Sequence, residues 1–297
     1  MAPSPTGGLH LGNARTFLIN WALARQNNWN VALRIDDLDS PRVKAGADKQ
    51  ALEDLAWLGL DWDTQPLYQS SLVEQYDECL QRLASSGSIY PCRCTRSEIA
   101  ARAASAPNEG DHELRYGGYC RPERRQAFDY RATRGEGIAW RFRVEVDNQP
   151  VKFTDEFCGE QSVSVDREVG DFIVANKQSV ASYQLAVNVD DDTQGVTSIV
   201  RGDDLLTSTA RQRLLRDALG MSLETKYWHL PLVQGDDGLR LAKRHCDTRL
   251  GQYRDVGVPR ERVIGLIAFW SALKSLNQCQ PGNFWLGLRL KTYLTSA

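Results

Sequence analysis

The first thirteen residues constrain the fold more than any other segment of this chain. Prolines at positions 3 and 5 fix the backbone, and Gly7 and Gly8 allow a sharp turn directly after them. Apolar residues then recur at helical spacing from position 14 to position 22. The pattern predicts a rigid turn that runs into a helix, where His10 meets the amides of Gly12 and Asn13. Such a helix start favours phosphate, although a capped turn with an incidental histidine is the alternative.

Composition narrows the class of protein. The 297 residues are 42% hydrophobic and 25% charged, which is typical of a globular protein with two or three packed units. No apolar run approaches the roughly 18 residues of a membrane span and no signal peptide is recognisable, so we expect a cytoplasmic protein. The net charge of −2 provides no global basic field, so any nucleic-acid contact has to be local. Seven cysteines, an odd number, do not predict a disulfide framework in a reducing compartment.

Strand and helix patterns alternate in the N-terminal part and again after residue 181. The first run has a strand at 31–35, a helix at 48–58 and a capping box, Ser71 to Glu74, that opens a helix ending near Gly87. The second run has strands at 182–190, 196–200 and 227–233 and a helix at 211–219. A further helix follows Pro259. Alternation of this kind predicts a parallel sheet wound by helices.

The middle of the chain has a different texture. A second capping box, Thr95 to Glu98, is followed by a loop of small and polar residues at 103–113. Residues 138–146 alternate apolar and polar side chains, as expected for a half-buried antiparallel strand. We therefore predict two halves of one catalytic domain at 1–85 and 181–245, an inserted subdomain at 86–180 and a helical region at 246–297.

Two further clusters carry chemistry. Residues 238–245 read Gly-Leu-Arg-Leu-Ala-Lys-Arg-His, and Arg240 and Lys243 there can neutralise a triphosphate, a solvated basic loop being the alternative. Cys92, Cys94 and Cys120 can supply three thiolates to a tetrahedral zinc. General zinc preferences make His112 the fourth ligand, whereas three free buried thiols are the alternative.

Three scattered polar residues complete the set. Asp36 follows a predicted strand, where ligands bind in open α/β sheets. Arg201 follows another strand, and an arginine is the natural bidentate partner of a carboxylate. Tyr183 opens the strand predicted at 182–190. Each has a structural alternative: Asp36 as a helix cap, Tyr183 as a core aromatic, and Arg201 as the ion-pair partner of Asp203.

Taken together, these segments resemble the glutamyl-tRNA synthetase family of class I aminoacyl-tRNA synthetases. Residues 3–13 resemble the first signature, the HIGH box, in its glutamate-specific form, and residues 238–245 resemble the KMSKS loop. Arg-Ile-Asp-Asp at 34–37, Tyr-Gln-Leu-Ala at 183–186 and Val-Arg-Gly at 200–202 resemble the family's amino-acid pocket. The implied fold is a Rossmann-like, doubly wound parallel α/β sheet with an inserted zinc-containing α+β subdomain, a short C-terminal helical region and no anticodon-binding domain.

The resemblance also implies roles for individual residues. His10, Arg240 and Lys243 are implied to be catalytic. The residues implied to contact ATP are Thr6, His10, Gly12, Asn13 and Lys243. Those implied to contact glutamate are Ala2, Ser4, Asp36, Tyr183 and Arg201. The family's zinc pattern, Cys-x-Cys and Tyr-x-x-x-Cys, implies the ligands Cys92, Cys94, Tyr116 and Cys120, with Tyr116 in place of His112.

The implied reaction joins glutamate to ATP as an adenylate, with Mg²⁺ on the nucleotide. The chain ends soon after Lys243, without the module that reads the anticodon in full-length members. Short members of this kind transfer glutamate to queuosine in the anticodon loop of tRNA(Asp). The alternatives are a truncated conventional synthetase that charges a tRNA 3′ end, a non-catalytic paralogue that binds tRNA or nucleotide, and a nucleotidyltransferase with the same histidine box.

The chain departs from the family at three places. Met1 directly precedes Ala2, so the family's arginine two residues before this alanine has no counterpart. Asp36 replaces the glutamate that holds the substrate ammonium. Residues 176–179, Asn-Lys-Gln-Ser, stand where short members have an arginine-rich turn.

Overall fold

The computed structural model describes residues 1–38, 41–103, 115–145, 149–232 and 249–278, with side chains described as far as Ser271. The helices of these ranges are α1 Leu11–Gln26, α2 Ala47–Trp57, α3 Val73–Ser85, α4 Arg96–Ala103, α5 Tyr130–Thr133, α6 Val165–Glu168, α7 Tyr183–Thr193, α8 Leu206–Leu219, α9 Leu250–Asp255 and α10 Arg260–Gln278. The strands are β1 Arg34–Ile35, β2 Leu67–Tyr68, β3 Ile89–Cys92, β4 Ala139–Phe142, β5 Val151–Asp155, β6 Gly159–Val163, β7 Phe172–Ala175, β8 Ser198–Gly202 and β9 Lys226–Leu230.

The described strands form three sheets rather than one continuous parallel sheet. β1 and β2 are parallel, and the backbone of residues 1–3 extends this pair through hydrogen bonds from the Arg34 amide to Met1 and from the Asp36 amide to Pro3. The second sheet, β3-β4-β7, is antiparallel. The third, in the order β6-β5-β9-β8, is parallel from β5 to β8 and ends in the antiparallel hairpin β5–β6. The fold is therefore mixed α/β.

The segment 86–180, predicted as an insertion, contributes to two sheets. Its strands β3, β4 and β7 form the antiparallel sheet, but β5 pairs with β9 of the following segment at Asp155 and Tyr227. The antiparallel strand predicted within 138–146 is confirmed only as β4, and its four residues are all buried rather than alternately exposed. The Thr95 capping box is confirmed at the start of α4. The domain boundaries themselves stay a prediction.

One predicted element is wrong. Residues 182–190, expected as a strand, form helix α7 from Tyr183 to Thr193. Seven consecutive residues of this helix, 185–191, are buried, so it has no solvent-facing polar stripe over that stretch. A short apolar run without helical periodicity cannot be distinguished from a buried strand by its pattern alone. The other predicted helices and strands lie within a few residues of their predicted positions, with α8 beginning five positions early at Leu206. The capping box predicted at Ser71 is wrong, because α3 begins at Val73 without a side-chain cap and the Ser71 hydroxyl instead donates to the Tyr68 carbonyl at 2.6 Å.

Two large hydrophobic clusters hold these elements together. One joins α3, α7 and α8 to the antiparallel sheet around the fully buried Trp140, and the other joins α1, α2 and α10. Helix α1 also packs on β8, which brings its N-terminus to the carboxyl ends of β1 and β8. Open α/β sheets bind ligands at that edge. None of the described helices is both long and apolar enough to cross a bilayer.

Candidate active site

Helix α1 begins on a histidine cap. Nδ1 of His10 accepts the amide hydrogens of Gly12 at 3.1 Å and Asn13 at 3.4 Å, and the Asn13 side chain accepts the His10 amide at 3.5 Å. Because two amides donate to Nδ1, that nitrogen is unprotonated and Nε2 carries the hydrogen. A Cβ at position 12 would lie 3.0 Å from the imidazole Cε1, so a larger residue there would require the ring to shift by a few tenths of an ångström. The predicted phosphate amides are thus engaged by His10, and the donor nitrogen of the ring is Nε2.

Most of the residues predicted to bind ATP or glutamate line one cavity of about 360 Å³. They come from the N-terminal turn, the start of α1, the end of β1, the start of α7 and the end of β8. Those lining it are Ala2, Ser4, His10, Gly12, Asn13, Asp36, Tyr183 and Arg201. Thr6 does not line it and instead closes the turn with a 2.8 Å bond from its amide to the Ser4 carbonyl. Arg240 and Lys243 lie outside the described residues.

The β1 side of the cavity is acidic. Arg34 donates to Asp36 at 2.6 Å and to Asp191 at 2.8 Å, and its Nε lies 3.4 Å from Asp190. Burial lowers the pKa of the neighbouring Met1 amino group to about 5, so at neutral pH three carboxylates around one guanidinium leave an excess of negative charge, which attracts an ammonium group. Asp36 is not a helix cap, because α2 begins eleven residues later behind Gly46. The sequence argument missed Arg34, Asp190 and Asp191 as individual site residues.

Burial is the main influence on the pKa values of the carboxyl groups on this acidic side. Asp190 has no exposed surface, and although Arg34, Tyr76 and Gln69 stabilise its charge, burial raises the pKa of its carboxyl to about 6. Tyr76 and Gln69 donate to Asp190 at 2.6 and 2.7 Å. Burial likewise raises the pKa of Asp36 against the opposing charge of Arg34. The charge of this wall is therefore sensitive to pH below neutrality.

The β8 side presents a cation without a carboxylate partner. Arg201 is 8% exposed, and its guanidinium donates to His229 Nε2 at 3.0 Å and to Thr209 Oγ1 at 2.7 Å. Within the described ranges no carboxylate lies within 4 Å of it. Asp203, the suggested ion-pair partner, instead accepts the Leu232 amide at 3.2 Å. A nearly buried guanidinium held by neutral groups is suited to receive a carboxylate from a ligand.

Tyr183 lies between these two walls. As the first residue of α7 it is 41% exposed, and it lines both the cavity described above and an adjoining one of about 430 Å³ that Arg34 and Arg201 also line. The alternative that Tyr183 is a core aromatic is therefore wrong. Its place at a helix start, rather than in a strand, directs the ring toward the open side.

The predicted zinc ligands form a separate cluster at the end of β3. The sulfur atoms of Cys92, Cys94 and Cys120 lie within 4.8 Å of one another, with 3.4 Å between Cys94 and Cys120. The Tyr116 hydroxyl lies 3.4 Å from the Cys92 sulfur and 3.7 Å from that of Cys94. Four ligands about 2.3 Å from a tetrahedral zinc lie roughly 3.8 Å apart, so these four atoms fit such an ion. His112 lies outside the described residues.

A cation faces this cluster. Arg141 donates to the Cys92 sulfur at 3.3 Å, and its guanidinium carbon lies 3.7 Å from the centre of the Tyr116 ring. Burial raises the pKa of the Cys120 thiol, but hydrogen bonds from the Arg93 amide and Tyr116 outweigh burial and lower it to about 7. The lowered pKa favours the thiolate form of Cys120, whereas burial raises the pKa of the Cys94 thiol to about 11 and that of the Tyr116 hydroxyl well above its ordinary value.

Comparison with known proteins agrees with this arrangement. The family model described as tRNA synthetases class I (E and Q), catalytic domain, matches residues 1–279. A protein of Rhodopirellula baltica named Glutamyl-Q tRNA(Asp) synthetase is 44% identical over 97% of this chain and 88% of its own length. The glutamate–tRNA ligase of Aquifex aeolicus is 37% identical over 91% of this chain, which spans 56% of that enzyme.

A solved structure shows the same fold. The crystal structure of a glutamate tRNA ligase from Elizabethkingia meningosepticum, in complex with its amino acid, superposes with a TM-score of 0.73 at 26% identity. The match covers 90% of this chain and 59% of that one. With the family model matching nearly the whole chain, this protein belongs to the glutamate and glutamine branch of the class I aminoacyl-tRNA synthetases.

Proposed function

We propose that this protein activates L-glutamate with ATP and transfers it to queuosine in the anticodon loop of tRNA(Asp). The observation that supports glutamate is that one cavity has a basic wall and an acidic wall. Arg201 is buried without a carboxylate partner among the described residues, and the Arg34 cluster on the other side has carboxylates in excess. A ligand with a carboxylate at one end and an ammonium at the other complements both walls.

Glutamate fits this cavity in one orientation. Its side-chain carboxylate would meet Arg201, its ammonium would meet Asp36, and its α-carboxylate would lie toward His10, with Asp191 in the adjoining cavity. Tyr183 lies between the acidic wall and the basic wall and offers its hydroxyl to the substrate. Two charged contacts on opposite walls restrain the ligand, which is the entropic part of catalysis by positioning.

In the first step an α-carboxylate oxygen of glutamate forms a bond to the α-phosphorus of ATP. The bond from that phosphorus to the bridging oxygen breaks, and pyrophosphate leaves; Mg²⁺ bound to the nucleotide would neutralise part of its charge. No general base is required, because the attacking carboxylate is already ionised at neutral pH. His10 Nε2–H donates to a phosphate oxygen, and Arg240 and Lys243 stabilise the charge that develops on pyrophosphate.

The acceptor is proposed from the relatives. The R. baltica protein matches over most of both lengths, and its name specifies tRNA(Asp) and glutamyl-Q. In the second step a hydroxyl of the queuosine cyclopentenediol attacks the adenylate carbonyl, and AMP leaves. Local basic residues, Arg240, Lys243, Arg244 and Arg249, are candidates for phosphate contacts with the tRNA.

We also propose one structural zinc per chain, bound by Cys92, Cys94, Tyr116 and Cys120. The proximity of the three sulfur atoms and the Tyr116 hydroxyl, together with the nearby cation Arg141, supports it. The ion would close the turn after β3 and stand apart from the cavity. Metal analysis of protein purified without chelator should give one zinc, and Tyr116→Phe should weaken zinc retention. Protein without zinc would contradict this proposal.

The function is tested in two stages. ATP–pyrophosphate exchange is measured with glutamate, glutamine and aspartate, each with and without tRNA. Of the three amino acids we expect only glutamate to support exchange, both with tRNA and without it. Radiolabelled glutamate is then offered to tRNA(Asp) with and without queuosine. Label that requires queuosine and is lost when periodate destroys the cyclopentenediol supports the proposal. Label on the 3′ end of unmodified tRNA(Glu) would identify a conventional synthetase, and a folded protein without exchange would identify a non-catalytic relative.

A further inference from the structure

Arg201 is the end of a buried chain of side chains that runs across three strands. Its Nε donates to Nε2 of His229 at 3.0 Å, and Nδ1 of His229 lies 2.6 Å from the Asp155 carboxylate. Arg201 and His229 are register partners on β8 and β9, and Asp155 is the last residue of β5, which pairs with β9. His229 has no exposed surface and Asp155 is 1% exposed. Of these three residues, only Arg201 carries a signal in the sequence.

The donors around His229 determine its protonation. A guanidinium nitrogen can only donate, so Nε2 of His229 has to be the acceptor and carries no hydrogen. The hydrogen is therefore on Nδ1, which donates to Asp155. A doubly protonated imidazole would direct an N–H at the N–H of Arg201. The ring is accordingly neutral, and its acceptor nitrogen points at Arg201.

Asp155 is held as the ionised end of this chain. Its carboxylate accepts the amides of Phe157 at 3.0 Å, Cys158 at 2.7 Å and His229 at 3.1 Å, in addition to the imidazole. Burial raises the pKa of Asp155, but the hydrogen bonds from His229 and the Cys158 amide outweigh burial and keep it below its ordinary value. An ionised Asp155 keeps the hydrogen of His229 on Nδ1.

The chain orients Arg201 without neutralising it. A carboxylate in the place of His229 would pair with the guanidinium and compete with any carboxylate ligand. The imidazole fixes Nε, Thr209 fixes Nη2, and the compensating negative charge lies one side chain farther away at Asp155. Nη1 makes no hydrogen bond within the described part of the chain and remains for a ligand.

We infer that His229 and Asp155 are positioning residues for Arg201. They hold its guanidinium in one orientation and leave it without a direct carboxylate partner, so that it can bind the side-chain carboxylate of the amino-acid substrate. The inference rests on the proposed function, because it takes Arg201 as the contact for glutamate. The inference adds two residues that determine specificity from outside the cavity, because neither His229 nor Asp155 lines it.

Asp155→Asn tests the chain with a near-isosteric change. The side-chain oxygen is retained where the Phe157 and Cys158 amides donate, so the new NH₂ faces His229 and donates to Nδ1, while the hydrogen bond from the His229 amide to that position is lost. The ring hydrogen then moves to Nε2 and opposes the N–H of Arg201, the same tautomer reversal that an Asp-to-Asn change produces in a catalytic triad. We expect KM for glutamate in pyrophosphate exchange to rise about 10- to 100-fold, the scale of one hydrogen bond to a charged group. KM for ATP should stay within about twofold.

Two further measurements separate positioning from folding. His229→Leu removes the acceptor and should raise KM for glutamate similarly, whereas His229→Gln keeps a carbonyl acceptor and an amide donor and should recover part of the loss. Asp171→Asn is the matched control, since Asp171 is also buried and accepts the Tyr90 hydroxyl and the Val144 amide, but away from the cavity. It should lower the melting temperature without raising KM for glutamate.

The outcomes distinguish this inference from the proposed function. Wild-type protein that exchanges no pyrophosphate with glutamate contradicts the proposed function and the inference with it. Exchange in the wild type, together with unchanged KM for glutamate in folded Asp155→Asn and His229→Leu, overturns the inference alone. If Asp155→Asn does not fold, the test is the comparison of His229→Gln with His229→Leu. Equal KM values for glutamate in those two variants would contradict the inference.

Discussion

Two buried arginines face the same cavity and have opposite surroundings. Arg34 lies among Asp36, Asp190 and Asp191, and its charge is more than compensated. Arg201 is held by an imidazole and a hydroxyl, no carboxylate of the described residues contacts it directly, and Asp155 lies one side chain farther away behind His229. The same residue type thus produces an acidic wall on one side and a basic wall on the other. The partners of an arginine, more than the arginine itself, decide which ligand group a wall receives.

The largest expected effect follows from removing the basic wall. Arg201→Ala should lower kcat/KM for glutamate in pyrophosphate exchange by about 10³-fold, because loss of one partner of a buried charge pair costs roughly 3–5 kcal/mol. Arg201→Lys should recover little, since lysine cannot reproduce the bidentate geometry. Arg216→Gln, at a buried arginine of α8 that donates to the Leu223 carbonyl away from this cavity, is the matched control. Equal losses in Arg201→Ala and the control would mean that Arg201 is only structural.

A smaller effect should separate the amino-acid walls from the phosphate end. His10→Ala removes the Nε2–H donor, and we expect kcat for exchange to fall about 10²-fold while KM for glutamate changes little. His10→Asn keeps a side chain that can cap α1 and should restore helix stability without restoring the rate. The measurement is steady-state exchange at varied ATP and varied glutamate. A rise confined to KM for glutamate would place His10 with the amino acid.

The acidic wall is tested by a ligand that lacks an ammonium group. Asp36→Asn should raise KM for glutamate by about 10-fold, near the cost of one charge-assisted hydrogen bond. Glutarate has both carboxylates of glutamate and no ammonium, so as a competitive inhibitor it should bind the variant no more weakly than the wild type. Parallel losses of glutamate and glutarate affinity would show that Asp36 acts by holding Arg34 in place.

The parts of this molecule that sequence could predict are those with local signals. The turn at 3–8 and the cap of α1 involve residues close in the chain, and His10 lies where the pattern expected it. Helix α7 was mistaken for a strand because burial on every side removes the polar stripe that marks a helix. The partners of the two arginines were missed for another reason. Arg34 meets Asp191 across 157 positions, and His229 meets Asp155 across 74, so no spacing in the sequence reports either contact.

The smallest expected effect is a pH dependence of stability within the acidic wall. Burial raises the pKa of Asp190 to about 6, whereas the unfolded chain titrates it near 3.9. Between these values the folded protein holds a proton that the unfolded chain has lost, so the contribution of Asp190 to stability falls as the pH rises. From pH 5 to pH 7 the wild type should lose about 1 kcal/mol of unfolding free energy relative to Asp190→Asn, measured by urea denaturation. Asp192→Asn, at an exposed carboxylate of the same helix, controls for the loss of charge. If the difference between wild type and Asp190→Asn does not change over this range, Asp190 is already ionised at pH 5 and the Arg34 cluster has its full negative charge across the range.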